Sequence, residues 1–185
     1  MLEDISQHVL DIAENSVAAE ATSVLVEIVE NRKDNLLSLT VEDNGKGMSP
    51  EFLARVTDPF TTTRTTRRVG MGLPFLKQAA ELCGGRFVLS SSVGVGTRTE
   101  AYFAYDNIDR PPLGDIPATM MTIFMGYPEI NFTYRHVIDG EAYSLSTEEL
   151  VEVLEERELL RSLEVGLWIR DQIAESLEEL RHASP

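Results

Sequence analysis

The chain has one cysteine, Cys83, among its 185 residues, which excludes an internal disulfide and any metal site built from cysteines alone. A lone thiol fits a reducing compartment, so a cytoplasmic location is expected. Basic residues are scarce as well. Sixteen Lys and Arg stand against 31 Asp and Glu, a net charge of −15, and the isoelectric point is about 4.5. So acidic a chain repels polynucleotides and anionic lipid, and neither nucleic acid nor membrane is expected as a partner. No apolar run approaches the roughly 18 residues a membrane-crossing helix needs. The opening residues, Met1 to Ile5, carry no basic stretch and no apolar core, so no secretory signal is expected. A GxxxxGK[ST] loop is missing, which excludes a P-loop, and no GxGxxG joins a strand to a helix, which disfavours a dinucleotide fold. Internal repeats and low-complexity segments are absent too. What remains is 43% hydrophobic and 25% charged, enough to bury a core.

The chain divides near residues 107–117, where Pro111, Pro112, Gly114 and Pro117 fall together and can continue neither a helix nor a central strand. Before the break, residues 5–20 read as a helix on the spacing of Ile5, Val9 and Ile12, with Asp4 as its cap. Residues 22–30 and 36–42 read as strands joined by a turn. Ser49, Pro50 and Glu51 begin a short helix with Ser as cap and Pro first. Residues 57–71 are rich in Thr and Arg, aperiodic, and read as a loop. Residues 72–83 form a helix ended by Gly84 and Gly85, and 86–92 with 97–105 form a hairpin. Strands paired by hairpins rather than crossover helices imply an open α/β sandwich. After the break, 118–126 reads as a strand, 131–137 and 141–145 as a hairpin around Asp139-Gly140, and 147–160 and 163–182 as amphipathic helices. Leu163, Leu167, Trp168 and Ile173 are expected in the core. Residues 147–182 hold 11 acids and 4 bases, which is a solvated helical face or an acidic docking surface.

Four stretches carry possible chemistry. In DIAENS, Asp11 and Asn15 lie four apart, so a carboxylate and an amide share one helix face. An amide oxygen can ligate magnesium, and a carboxylate beside it can hold or deprotonate a hydroxyl or water. Glu14 points about 100° away and is a poorer base. In DNGKGM, Asp43 ends a strand and can accept a hydrogen bond from an amino group, while Gly45 and Gly47 permit a tight turn. VGMGL places glycines at the start of a helix, where free N–H groups attract phosphate. GVGTRTEAYF opens a strand at Thr97.

Each stretch is ordinary alone. Their order, Asn15, then DxGxG at 43–47, Asp58-Pro59-Phe60, GxGL at 70–73 and Gly96-Thr97, resembles the ATP-binding domain shared by histidine kinases, gyrase, Hsp90 and MutL, over about residues 5–105. The resemblance implies an α+β fold, a two-layer α/β sandwich of the Bergerat type with a small C-terminal α/β extension. It implies an ATP-binding domain over 1–106; the patterning adds a linker at 107–117 and a strand–hairpin–two-helix module over 118–185. Asn15 would hold Mg2+. Asp43 would read adenine, with Thr97 near the base, and Gly45, Gly47 and Met48 would wall it. Phe60 would match the family's phenylalanine box, residues 61–69 with Thr62 and Thr63 would be the lid over the phosphates, and Gly70, Met71, Gly72 and Leu73 would offer N–H groups to the phosphates. Arg64, in PFTTTR, stands where a lid cation would touch the γ-phosphate. Arg67 and Arg68 read more simply as solvated loop charge.

Two departures qualify the implied activity. ATPases of this superfamily place a glutamate four residues before the magnesium asparagine, and here that position is Asp11, one methylene shorter, so slow hydrolysis is expected. A complete sensor kinase needs a dimerisation helix pair with a phosphoacceptor histidine before this domain. His8 lies on the nucleotide-domain helix itself, and His136 and His182 have no phosphoacceptor context. A self-contained sensor kinase is therefore not expected. The stretches HVLDIAENS, DPFTTTRTTRRVGMGLPFLKQAAE and IDRPPLGD also resemble small stand-alone histidine-kinase-like proteins of anaerobic bacteria, some associated with iron-only hydrogenase or related redox enzymes. The resemblance implies a stand-alone regulator that binds ATP and Mg2+ and phosphorylates or holds a separate protein partner. An ATP-driven clamp and a non-catalytic nucleotide sensor are the alternatives, and a homodimer is possible in each.

Overall fold

The computed structural model describes residues 4–57 and 72–183. Its elements are α1 (Ile5–Ala18), β1 (Ser23–Asn31), β2 (Leu36–Asp43), α2 (Pro50–Leu53), α3 (Gly72–Leu82), β3 (Arg86–Ser92), β4 (Gly96–Ala104), α4 (Ile116–Gly126), β5 (Asn131–Ile138), β6 (Glu141–Ser146), α5 (Thr147–Leu154), a 3-10 turn (Arg157–Arg161) and α6 (Leu163–Ala183). The strands form one sheet in the order β3-β4-β2-β1-β5-β6. Every pairing is antiparallel except β1 with β5, which is parallel. The fold is an α+β sandwich with helices packed on one face of the sheet.

Alternation along the strands makes that face. Val24, Val26 and Ile28 of β1 lie beside Leu37, Leu39 and Val41 of β2, Ala101 and Phe103 of β4, and Phe132 and Tyr134 of β5, all buried. Onto them α1 presents Ile5, Val9, Ile12 and Ala13, the stripe expected from helical spacing. Asp4 caps α1 by accepting from Gln7 N at 2.9 Å, and Ser49 caps α2, with Pro50 in its first turn.

Of the expected linker at 107–117, residues 107–115 are irregular and Ile116 and Pro117 begin α4, and the strands either side of it share one sheet. Ile5 N and Ser6 N donate to the carbonyls of Pro112 and Leu113, each at 2.9 Å, so this segment lies along the start of α1. Acid–base pairs join the parallel strands as well. Glu27 pairs with Arg135, Glu30 with His136 at 2.8 Å, and Asp139 accepts from Arg32 Nε at 2.5 Å.

Three expectations for the C-terminal part are corrected. Residues 118–126 are not a strand but most of α4. Asp115 caps it by accepting from Ala118 N at 3.0 Å, Pro117 sits in the first turn, and Ile116, Met120, Ile123 and Phe124 recur at helical spacing in the core. The helix expected over 147–160 ends at Leu154, because Glu155 turns left-handed at φ 63° and the chain continues as the 3-10 turn. Of the residues expected in the core of α6, only Ile173 is buried, and Leu163, Leu167 and Trp168 are exposed. The buried stripe of that helix is Gly166, Ile169, Ile173 and Leu177.

Candidate nucleotide site

The site is built from the inner face of α1, the end of β2 and the start of α3. Asp11 and Asn15 lie one turn apart on α1, both half-buried. Among the described residues neither side chain makes a hydrogen bond. Burial raises the Asp11 pKa, and the Glu14 charge adds to the rise. The first residue of α3 fits closely against this carboxylate, since a Cβ on Gly72 would stand 2.9 Å from Asp11 Oδ2. The first described turn of α3, Gly72 and Leu73 onward, therefore lies next to Asp11.

His8, one turn before Asp11, completes that face. It is 1% exposed, and among the described residues its Nδ1 has no partner. Burial lowers its pKa to about 4, against the opposing pull of the Asp4 carboxylate and the Gly72 backbone.

Asp43 ends β2 and turns toward α1. Its Oδ2 accepts from Ser16 Oγ at 2.7 Å and its Oδ1 from Gly45 N at 2.9 Å. Two fixed donors leave lone pairs on both oxygens for one further donor. Thr97 is the direct cross-strand partner of Asp43. Its hydroxyl lies 2.9 Å from Ser91 Oγ, and Ser91 Oγ also meets Met48 N and the Gly96 carbonyl, each at 2.9 Å. Ser91 thus ties the turn after β2 to the β3–β4 hairpin. Gly47 makes that contact possible, with φ at +66° and a Cβ that would fall 2.0 Å from Ser92 O. Asn44 closes the other side, its Oδ1 accepting from Thr22 N and Ser23 N at 2.9 Å.

A depression of about 470 Å³ at these strand ends is lined by Ser23, Leu25, Glu42 and Arg98 besides Asp43 and Thr97. Glu42 and Arg98 alternate with residues of the inner face, so this hollow lies mainly behind the sheet. We place the candidate site on the α1 side, where Asp43 meets Ser16.

Of the expected site residues, Asp11, Asn15, Asp43, Gly45, Gly47, Met48, Gly72, Leu73 and Thr97 are gathered by these elements. Phe60, Thr62, Thr63, Arg64, Gly70 and Met71 lie outside the described residues. Ser16 and Ser91 were missed. Ser16 follows Asn15 directly and was legible as a hydroxyl on the buried face of α1, but its tie to Asp43 spans 27 residues of sequence.

These elements define a class of protein. Residues 2–107 match the family described as histidine kinase-, DNA gyrase B- and HSP90-like ATPase, and the chain belongs to that family. It is homologous to the ATP-binding domains of histidine kinases. It is 31% identical over 97 residues to histidine protein kinase DivJ of Caulobacter vibrioides, covering 50% of this chain and 16% of that one. It is 36% identical over 75 residues to the osmosensing histidine protein kinase SLN1 of Saccharomyces cerevisiae, covering 38% of this chain and 6% of that one. The chain thus spans less than a fifth of the length of these curated relatives. In fold it is similar to the Aquifex aeolicus MutL ATPase domain complexed with ADP, with a TM-score of 0.50 and 21% identity over 84% of this chain and 70% of that one.

Proposed function

We propose that this chain is a Mg-ATP-binding regulatory domain that phosphorylates or otherwise controls a separate protein, with slow hydrolysis of its own. Membership in the ATPase family supports nucleotide binding in general. The observation that carries the reading is the pinned carboxylate of Asp43. With Ser16 Oγ and Gly45 N fixed on it, Asp43 is oriented to accept from the amino group that adenine carries at C6, where guanine carries a carbonyl oxygen that only accepts.

The residues present also fit a magnesium ion. The Asn15 amide makes no hydrogen bond among the described residues, and it lies one turn from Asp11 on α1. Among the described residues no group of three or more His, Cys, Asp or Glu gathers to hold a metal, and magnesium held through one protein oxygen and phosphate oxygens needs none. Such an ion would neutralise phosphate charge. The N–H groups of the first turn of α3 would hold phosphate oxygens beside it. Asp11, with its raised pKa, would orient an acceptor hydroxyl or water and take its proton. Arg64 remains our expected γ-phosphate contact, Phe60 the expected phenylalanine-box residue, and Thr62 and Thr63 expected lid residues. The buried thiol of Cys83 supports a cytoplasmic setting.

A second reading, a nucleotide sensor that binds without turnover, is favoured by the short reach of Asp11 and would leave a partner unlabelled by γ-labelled ATP. The test of the site is Asn15→Ala, measured by titration calorimetry with ATP in magnesium and in chelator. Magnesium-dependent affinity is expected to disappear while the circular dichroism stays that of the parent. An unchanged affinity refutes the assignment.

A further inference from the structure

We propose that the surface formed by the 3-10 turn, its flanks and the first turns of α6 is the docking site for a basic amphipathic helix of another protein. This deepens the proposed function by giving its partner a seat, and it rests on that reading only for the existence of a partner.

The first observation is apolar exposure. Within residues 153–168, Val153, Leu159, Leu163, Leu167 and Trp168 are 82%, 41%, 66%, 37% and 51% exposed. Single exposed leucines are ordinary on a protein surface. Here five large apolar side chains, including the chain's one tryptophan, are exposed within sixteen residues, and Leu163 and Leu167 stand one turn apart on the same side of α6. The helix cannot roll to hide them. Its other side packs on α4 so closely that a Cβ on Gly166 would lie 2.1 Å from Met125 Sδ, and Ile169, Ile173 and Leu177 are already in the core.

The second observation is charge. The bases of this stretch are engaged within the chain. Arg157 donates to Pro128 O at 2.7 Å and Asn131 Oδ1 at 2.8 Å, Arg161 pairs with Glu129 and Glu158, and Arg170 pairs with Asp171. Glu152, Glu155, Glu156 and Glu164 have no ion pair among the described residues. Arg157 keeps its charge without a carboxylate partner, but residues 152–171 hold six acids against three bases, so the apolar side chains sit in a net-acidic stretch.

These two facts select the occupant. A second copy would bring the same acidic surface and a net charge of −15 against this one, so like charges would meet. A helix with an apolar stripe flanked by Lys or Arg meets both needs. Its stripe covers the leucines, its cations pair with the free glutamates, and one cation can stack on Trp168.

Because Trp168 is the sole tryptophan, its fluorescence reports this surface alone. The full chain is titrated with a synthetic Leu/Lys amphipathic helical peptide, with a Leu/Glu peptide of the same pattern, and with a scrambled Leu/Lys peptide. We expect a saturable blue shift with the patterned Leu/Lys peptide only, weakening as salt rises. We expect about a tenfold or greater loss of affinity in Leu163→Ser/Leu167→Ser and in Glu155→Lys/Glu156→Lys. Glu155 and Glu156 are exposed, so the melting temperature of that variant should hold, and the leucine variant, in which Leu167 is 37% exposed, is assayed well below its own melting temperature. No saturable shift, an equal shift with the Leu/Glu or scrambled peptide, or parental affinity in both double variants overturns the proposal. A concentration-dependent dimer that shifts Trp168 without peptide overturns it in favour of a second copy. Mg-ATP affinity is measured on the same samples. Peptide binding without ATP binding leaves this surface standing and removes the nucleotide reading, and the converse result does the reverse.

Discussion

His8 makes the fold sensitive to mild acid, and the size of the effect follows from its burial. The ring stays neutral in the folded chain down to about pH 4, whereas in the unfolded chain it takes a proton near 6.5. Between those values the unfolded state binds the extra proton, so stability falls as pH falls and levels off below the folded pKa. At about 1.4 kcal/mol per pH unit, the full window is worth about 3 kcal/mol, and the part from about pH 6.5 to 5 about 2 kcal/mol. The buried carboxylates also titrate in acid, so the assay is a difference. Urea unfolding of the parent and of His8→Gln is followed at about pH 7 and about pH 5, where the variant should lose about 2 kcal/mol less than the parent. The His8 ring resonances should titrate near 4. Parallel pH dependence in the two proteins, or a ring that titrates near 6.5, refutes the reasoning.

Two further substitutions probe the frame of the site. Gly47→Ala should cost at least about 2 kcal/mol by thermal unfolding, because a left-handed φ and a backbone oxygen in the path of the Cβ act together; a near-neutral result means that the turn after β2 is not packed on Ser92. Burial alone would raise the pKa of Glu30, but hydrogen bonding to His136 and the nearby charges bring it below its ordinary value. Glu30→Ala leaves the His136 ring buried without its acceptor and should destabilise by about 1–3 kcal/mol, which would show that the β1–β5 join is part of the core; a cost below about 0.5 kcal/mol contradicts this.

Most elements up to residue 105 were legible because each carries a local signal. The Ile5–Val9–Ile12 spacing marks α1, Asp4 and Ser49 mark caps, and Gly84-Gly85 ends α3. The parts that were not legible lack such a signal. Residues 116–126 are apolar on every side, so neither period dominates, and Asp115 as a cap was the clue that distinguished helix from strand. The leucines at 163 and 167 and Trp168 read as core by type, but Gly166 against Met125 fixes which side of α6 turns inward. At the site, the chemistry-bearing residues could be picked from the order of their motifs. Their mutual placement could not, since the Asp43–Thr97 register and the Ser16 and Ser91 hydroxyls that fix the turn are products of the sheet.

The central claim is that Asp43, held by Ser16 and Gly45, reads adenine in this chain. Its most direct test is the melting temperature of the parent and of Asp43→Asn with Mg-ATP and with Mg-GTP. Ligand at about 100 times its Kd should stabilise the parent by about 2.7 kcal/mol. The account predicts that rise with ATP, little with GTP, and little with either nucleotide in Asp43→Asn. An equal rise with both nucleotides, or an undiminished ATP effect in the variant, contradicts it.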